Sequence, residues 1–526
     1  MLGLEMVVLL GLALVVCGAL ASRYPIAPAI LLVLSGVLIG FIPHLGSTGL
    51  PPEVVLLVFL PAILYWESLT TSLREIHNNL RVVVLTSTVL VFVTAGAVAV
   101  TAHELGMQWG PAWVLGAALA PTDATAVGVL ARNLPRRTVT TLRAESLIND
   151  GTALVLYGLA VGVTVGEEQL TGWHVTWLVV LSYGGGILAG GLVGLLSWQV
   201  RRRMDDPMLE GIAMLVTPFA AFLAAEAVEA SGVLAVVSCG LFISQVAPRI
   251  TNAATRHLVT PFWSLSTTVL SSALFVLIGI SAHSAFRALS STTLLEALAD
   301  ILVVTAVVIG VRWLWTYTTP YVIRAIDRRP VQRERRVSAR QRTVNATAGF
   351  RGAISLAAVL AVPHEVESGA PFPDRDLIIV IASGVIVLTL LQALVLPAVV
   401  RFARLPADES VAEEIQLAEE VSLDAAIEAI DETASELGVS DRVTDRVRRE
   451  LDKQRKLLAA NGSDGDPFVQ HDGEYTSLSL ALIARRREAI LQLRDERRID
   501  DIVLRQVQAR LDIEEIRFSR AGPTTE

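Results

Sequence analysis

Long apolar runs separated by short polar breaks fill the first 405 residues and constrain the fold more than any other feature. A helix of about 20 apolar residues spans a bilayer, because lipid offers no hydrogen-bond partner for exposed backbone groups. We therefore predict an all-α polytopic membrane protein with about thirteen transmembrane helices. Their approximate spans are 4–21, 25–43, 53–70, 80–101, 111–131, 143–164, 172–200, 208–228, 231–247, 257–281, 294–323, 343–363 and 376–402.

Charge divides the chain near residue 405. From residue 406 onward the sequence holds 28 acidic and 17 basic residues, whereas the first 405 residues hold 23 and 26. Apolar residues recur at helical spacing through the acidic tail. We predict two domains: a transmembrane domain at 1–405 and a helical tail at 406–526 that regulates or oligomerises the protein. The acidity of the protein belongs to the tail and does not indicate a basic or acidic partner of the first domain, and we expect no nucleic-acid partner.

Loop charge predicts the orientation. If the N-terminus lies outside, the inner loops contain 20 arginines and the outer loops contain Arg287 and Arg375. Positively charged loops remain on the cytoplasmic side. We therefore expect a multi-pass protein of the cell membrane with its N-terminus outside and its tail in the cytoplasm. Cys17 and Cys239 both fall in predicted spans, and the sequence has no Cys/His spacing typical of a metal site.

Charged side chains inside the predicted spans indicate where function lies. Each costs about 2.5–3.5 kcal/mol at the centre of a membrane helix, so it needs a partner or a role. The principal cases are Glu67, Asp123, Glu145, Asp150, Arg312 and Arg351.

The stretch APTDATAV interrupts the fifth span. Pro121 removes a backbone donor and disfavours a helical Ala120, while Thr122 and Asp123 place side-chain oxygens at the same level. One interpretation is a proline kink, in which Asp123 caps the following half-helix. The other is a cation site built from carbonyl, hydroxyl and carboxylate oxygens, and the two are compatible.

The stretch AESLINDGTALVLY brings carboxylates into the sixth span. Ser146 stands four residues before Asp150, so both side chains can reach one point on a helix. Oxygen donors of this kind suit hard cations. Glu145 lies on another row of the helix and needs a basic partner.

The stretch GFRGAIS interrupts the twelfth span and supplies that partner in our prediction. Arg351 stands between Gly349 and Gly352, and a buried arginine needs a carboxylate. We predict a structural ion pair between Glu145 and Arg351, and we expect Arg312 to lie near the inner end of its span, where it snorkels or pairs locally. Asp150 is then left without a permanent counter-ion, so a proton and a metal cation can occupy it in turn.

The two interruptions occupy corresponding places. If span seven is a connector, spans 1–6 and 8–13 form two halves of six, and the broken helix is the fifth of each half. Corresponding broken helices are typical of inverted-repeat transporters with a site near the bilayer midplane.

These motifs together resemble the monovalent cation:proton antiporter-1 family, of the NhaP and sodium/proton exchanger type. The matching segments are PTDATAV at 121–127, ESLINDGTALV at 145–155, FRGAISLA at 350–357 and, more loosely, FLPAILYWE at 59–67. The resemblance implies an NhaA-like antiporter fold with two crossing broken helices, and a homodimer. It implies exchange of Na⁺, Li⁺ or K⁺ for H⁺, without a cofactor.

The resemblance also implies residue roles. Asp150 would be the principal carboxylate that binds cation and proton, and Asn149 would orient the site without carrying charge, as in electroneutral members. The residues implied to bind or shape the metal site are Asp150, Asp123, Thr122, Ser146 and Glu67.

Two other classes of membrane protein remain as alternatives. A cation channel would need a ring of carbonyls or acids from symmetric subunits, and the sequence shows no filter of the TVGYG kind. A membrane sensor that acts through its tail would leave Asp123 and Asp150 unexplained. An enzyme is disfavoured because HExxH, GxSxG and P-loop motifs are absent.

Overall fold

The computed structural model describes most of the chain. The described residues are 2–23, 28–42, 54–78, 84–123, 136–166, 172–288, 291–326, 338–404, 410–459, 467–496, 507–508, 510–515 and 517–518. They form helices and no strand, apart from an isolated bridge between Glu365 and Pro371. The chain falls into two compact units, Met1–Ala407 and Asp408–Glu526.

The first unit is a bundle of helices. They are α1 (Leu2–Arg23), α2 (Pro28–Gly40), α3 (Leu60–Thr70), α4 (Leu73–Asn78), α5 (Leu90–Glu104), α6 (Trp109–Leu119), α7 (Arg136–Val165), α8 (Gly172–Arg201), α9 (Pro207–Glu226), α10 (Gly232–Ile250), α11 (Ala253–Ala288), α12 (Ser291–Ile326), α13 (Ala339–Thr347), α14 (Ala353–Leu360) and α15 (Arg375–Ala403). A π-helical segment leads directly into α3 at Val55–Phe59 and into α5 at Leu85–Val89.

Nine helices in the described part of this unit are long and apolar enough to cross a membrane. They are α1, α5 with its π-helical start, α7 to α12, and α15. Shorter apolar helices lie in the second, third, fifth and twelfth predicted spans. The chain is therefore a multi-pass membrane protein whose described residues are all-helical in class, and the count of thirteen spans stays a prediction.

Local sequence explains where several helices begin. Asp206 precedes α9 and its side chain accepts hydrogen bonds from the backbone N–H groups of Met208 and Leu209, at 2.7 and 3.3 Å. Pro207 follows as the first helical residue, where its missing N–H costs nothing. Ser338 caps α13 in the same way, through the N–H of Gln341 at 3.2 Å.

A buried ion pair joins two helices far from the interrupted segments. Arg201, at the end of α8, donates to Glu210 in the first turn of α9 at 2.8 Å and to the Thr251 hydroxyl at 2.8 Å. Both charged side chains are almost fully buried. The contact fixes the ends of α8, α9 and α10 relative to one another.

The interrupted helices lie at the centre of the packing. Helix α14 contacts α6, α7, α11 and α15, while α6 packs between α5 and α7. Helix α3 lies against α10 and also contacts α7. The elements that carry the predicted site residues therefore converge.

The second unit is helical as well. Its helices are α16 (Ser410–Glu428), α17 (Ile430–Leu437), α18 (Asp441–Ala459) and α19 (Pro467–Asp495). Gly438 ends α17 with a positive φ of 65°, a conformation that glycine adopts without strain. Helices α16 and α18 pack together. The exposed pair of Arg448 and Asp431, at 2.6 Å, adds little stability because water screens it.

Candidate functional site

The breaks in the two interrupted helices meet. Helix α6 ends at Leu119, and α13 ends at Thr347, with five residues between it and the start of α14. The backbone N–H of Asp123 donates to the carbonyl of Phe350 at 2.8 Å, and the N–H of Ala353 donates to the Asp123 carboxylate at 3.2 Å. Asp123 thus joins the second break through both its backbone and its side chain.

In one interpretation of the sequence, Asp123 caps the half-helix that follows it in its own span. In the structure its carboxylate caps α14, 230 residues further along the chain. Residues 124–135, which include the end of the PTDATAV motif, lie outside the described residues.

Arg351 compensates for a hydrogen bond that the first break removes. In an unbroken helix the N–H of Asp123 would bond to the carbonyl of Leu119, but here it is bonded to Phe350. The Arg351 guanidinium donates to the Leu119 carbonyl at 3.0 Å and to the Gly349 carbonyl at 2.7 Å. A cation at the carboxyl end of α6 is also favoured by the helix dipole.

Two glycines permit this close approach. A Cβ atom at Gly352 would collide with the Asp123 carboxylate, and one at Gly349 would collide with the Arg312 side chain. Both glycines, like Pro121, lie in non-helical segments.

The predicted pairing of Glu145 with Arg351 is wrong in its basic partner. Glu145 accepts a hydrogen bond from Arg312 at 2.8 Å, and both side chains are buried. The same guanidinium donates to the carbonyl of Asn345 at 3.2 and 3.3 Å, in the last turn of α13. Arg351 lies close enough to Glu145 for their charges to interact, but its guanidinium donates hydrogen bonds to backbone carbonyls.

The prediction failed because either of two buried arginines, Arg312 or Arg351, could neutralise Glu145, and the sequence does not show which of them lies beside α7. The expectation that Arg312 pairs locally is wrong for the same reason, since its partner is 167 residues away.

Helix α7 presents the polar residues of the AESLINDGTALVLY stretch. Asn149 is 2% exposed and donates to the Thr122 hydroxyl at 2.9 Å. Asp150 is 3% exposed, and no described residue forms a hydrogen bond or an ion pair with its carboxylate. The buried Ser146 hydroxyl interacts with Glu67, not with Asp150.

A small cavity lies between these elements. The part of it that a water molecule can occupy is about 20 Å³, enough for one water or one dehydrated alkali cation. Six side chains that carry oxygen line it: Glu67, Thr122, Asp123, Asp150, Ser271 and Ser355. The structure therefore brings together four of the five predicted metal-site residues, while Ser146 lies outside the lining.

Sequence reasoning missed the two serines. Ser355 belongs to the FRGAISLA stretch, so its place one turn after the break was a usable signal. Ser271 stands in the middle of α11 without any local motif, and only packing brings it to the cavity.

The cavity combines negative charge with neutral oxygens. Glu67, Asp123 and Asp150 lie close enough for their charges to interact, and Arg143 is the positive charge near Glu67. Carboxylate and hydroxyl oxygens bind hard cations, and a carboxylate also binds a proton. The described residues contain no cluster of three or more His, Cys, Asp or Glu arranged for a resident metal ion.

A family model described as "Sodium/hydrogen exchanger, transmembrane" matches residues 11–402. The chain belongs to this exchanger family. Its members are cation/proton antiporters, which are transporters and not catalytic enzymes. The resemblance noted in the three motifs is thereby confirmed.

Curated relatives of the exchanger family cover most of the chain. An uncharacterized Na(+)/H(+) exchanger of Mycobacterium tuberculosis is 45% identical over 521 residues, covering 98% of this chain and 96% of the relative. A sodium, potassium, lithium and rubidium/H(+) antiporter of Bacillus pumilus is 29% identical over 406 residues, covering 74% of this chain and 60% of the relative.

A solved structure supports the fold. The sodium proton antiporter MjNhaP1 of Methanocaldococcus jannaschii matches with a TM-score of 0.59 and 20% identity, covering 76% of this chain and 97% of that one. At this identity the likeness concerns the fold alone.

Proposed function

We propose that the protein is a secondary active antiporter that exchanges Na⁺ for H⁺ across the cell membrane, with Li⁺ and K⁺ as further candidate substrates. The observation that carries the proposal is Asp150, a buried carboxylate without a partner among the described residues, which lines an oxygen-rich cavity. Such an exchanger would serve sodium and pH homeostasis.

The proposed mechanism is competition at Asp150. On one face of the membrane the carboxylate releases its proton and accepts a cation; on the other face it releases the cation and accepts a proton. Alternating access to the cavity couples the two steps. The site residues have separate roles: Asn149 orients the Thr122 hydroxyl, Asp123 holds the two breaks together, and Glu67 adds negative charge from α3.

We propose electroneutral exchange of one cation for one proton. Asn149 is a neutral amide beside Asp150, and the Asp123 carboxylate is already engaged with α14. Glu67, the third carboxylate of the cavity, interacts with Ser146 and lies near the positive charge of Arg143. Asp150 is therefore the carboxylate that would alternate between the two ions, so each cycle would move no net charge.

The proposal includes the finer architecture that the sequence predicts. Thirteen spans would form two inverted six-helix repeats, with the N-terminus outside and the tail at 406–526 in the cytoplasm. The loop charges support this orientation. The protein would act as a homodimer, and the tail would regulate or oligomerise it.

Asp150→Asn tests the proposed exchange in everted vesicles that hold a pH gradient. We expect Na⁺ to dissipate the gradient in vesicles with the wild-type protein and to have no effect with the variant, because an amide cannot exchange a proton for a cation. Asp300→Asn is the matched control, since Asp300 is an aspartate of α12 that does not line the cavity. Wild-type dissipation by Asp150→Asn would refute the mechanism.

Proteoliposomes with a set membrane potential test the stoichiometry and the channel alternative. Electroneutral exchange proceeds at the same rate at every potential, whereas a channel carries current without any coupled proton movement. Cation current in the absence of a proton gradient would contradict antiport.

A further inference from the structure

Ser355 is a buried hydroxyl at the cavity for which no role has been assigned. It is the third residue of α14, which begins directly after Gly352. The residue is 1% exposed, and its oxygen has no hydrogen-bond partner in the described part of the chain. It lines the same cavity as Asp150.

Two other buried serines in the membrane unit hydrogen-bond within their own helices, whereas Ser87, which lacks a partner among the described residues, does not line the cavity. Ser68 donates to the carbonyl of Leu64 at 2.6 Å, and Ser383 donates to the carbonyl of Ile379 at 2.5 Å. Both bonds run to the residue four positions earlier, which is the usual way for a helix to satisfy a serine. The residue four positions before Ser355 is Arg351, which lies in the break, so no helical turn supplies that carbonyl.

A buried hydroxyl without a partner costs about 1–3 kcal/mol. Such groups usually bind a water or an ion that fills the adjoining space. The cavity beside Ser355 has room for one such particle, and three carboxylates at the same cavity favour a cation over an anion.

We infer that the Ser355 hydroxyl is a direct ligand of the transported cation and sets the preference among alkali metals. Ser355 would contribute a neutral oxygen from the second interrupted helix, while Asp150 contributes a charged oxygen from α7. The Asp123 carboxylate already accepts from the first N–H of α14, which offsets the positive end of the helix dipole near the cation. The inference rests on the proposed antiport at Asp150.

A neutral ligand affects the cation and the proton differently. A proton needs a single oxygen, so loss of the Ser355 hydroxyl leaves protonation of Asp150 in place. A cation must replace its hydration shell with several oxygens, and a smaller ion gives up its water more reluctantly. Loss of one ligand is therefore expected to weaken Li⁺ most, Na⁺ next and K⁺ least.

Proton flux in proteoliposomes tests this inference with Ser355→Ala and Ser355→Cys. The cysteine keeps the volume and replaces the oxygen with sulfur, a poor ligand for hard cations. We expect either variant to raise the KM for Na⁺ about 10-fold, equivalent to about 1.4 kcal/mol. The maximal rate at saturating Na⁺ should stay within about twofold of wild type, and the preference should shift towards K⁺. Ser383→Ala is the matched control and should retain wild-type values.

Thermal unfolding of the purified proteins in rising NaCl gives a second readout that does not depend on transport. A cation that binds the folded state raises its Tm, and a 10-fold weaker site needs 10-fold more Na⁺ for the same rise. LiCl, NaCl and KCl at equal ionic strength separate site binding from general salt effects.

The outcomes separate the inference from the proposed function. Wild-type KM and cation preference in both Ser355 variants would overturn the inference while antiport stands. Absence of cation-driven proton flux in the wild-type protein would overturn antiport. Even then, Ser355 would be supported as a cation ligand if Na⁺ raises the Tm of the wild-type protein and Ser355→Ala needs 10-fold more Na⁺ for the same rise. Absence of both flux and a Tm rise in wild type would overturn both.

Discussion

The Glu145–Arg312 ion pair makes a specific prediction about stability. Both side chains are less than a tenth exposed, and Arg312 also donates hydrogen bonds to the Asn345 carbonyl near the end of α13. Removal of one member of a buried pair leaves an uncompensated charge and costs about 3–5 kcal/mol. We therefore expect Arg312→Met to destabilise the protein by about that amount.

The expected change in Tm follows from the size of the unit. The unfolding entropy of the 407-residue first unit, at roughly 2 cal/mol/K per residue, is about 0.8 kcal/mol/K. A loss of 3–5 kcal/mol then lowers the Tm by about 4–6 °C. Tryptophan fluorescence during heating of the purified protein, at one fixed scan rate, measures the shift.

A double-mutant cycle identifies the partner of Glu145. Glu145→Gln alone leaves Arg312 unpaired, but Glu145→Gln with Arg312→Met removes both charges, so its cost should fall well below the sum of the single changes. The free-energy costs of Glu145→Gln and Arg351→Gln should be close to additive, because Arg351 donates its hydrogen bonds to the carbonyls of Leu119 and Gly349. Additive costs for the Arg312 cycle, or stronger coupling in the Arg351 cycle, would refute the assigned pair.

Two further predictions concern backbone approach and helix ends. Gly352→Ala should abolish cation-driven proton flux in vesicles, because the added Cβ would displace the Asp123 carboxylate. Gly11→Ala on α1 is the control and should transport normally, since a Cβ there meets no atom within 4 Å. Normal flux in Gly352→Ala would contradict the tight contact. Glu210→Gln should lower the yield of folded protein, because it leaves Arg201 as an unpaired buried charge at a cost of about 3–5 kcal/mol. Addition of Arg201→Met should restore part of the yield. No recovery of the yield would show that loss of the ion pair is not the cause.

Some features of the site could be predicted because their causes are local. Pro121 lacks a backbone donor wherever it stands, so an interruption near that residue followed from its chemistry. A carboxylate such as Asp150 in an apolar span is costly in any fold, which marked it for a functional role. The four-residue period of a helix placed Ser146 and Asp150 on one face, but it did not show that the Ser146 hydroxyl interacts with Glu67.

Other features depended on which helices lie side by side. The partner of Glu145 is Arg312 because α12 and α13 pack together near α7, and either buried arginine satisfied the charge argument. The Asp123 N–H donates to the Phe350 carbonyl, and the Arg351 side chain donates to the Leu119 carbonyl; both bonds join segments more than 200 residues apart. No local pattern predicts such a contact.

The sequence by itself determined the membrane class, the helical content, the two interruptions and the acid on which the proposed exchange depends. These follow from hydrophobicity, backbone chemistry and the energetic cost of a charge in lipid, which act on a residue wherever its helix lies. Tertiary structure alone decided which arginine pairs with Glu145, which helix Asp123 caps, and that Ser271 and Ser355 reach the cavity. Those outcomes depend on the packing of distant helices, because a hydrogen bond or an ion pair forms only between groups that the fold brings within about 3 Å.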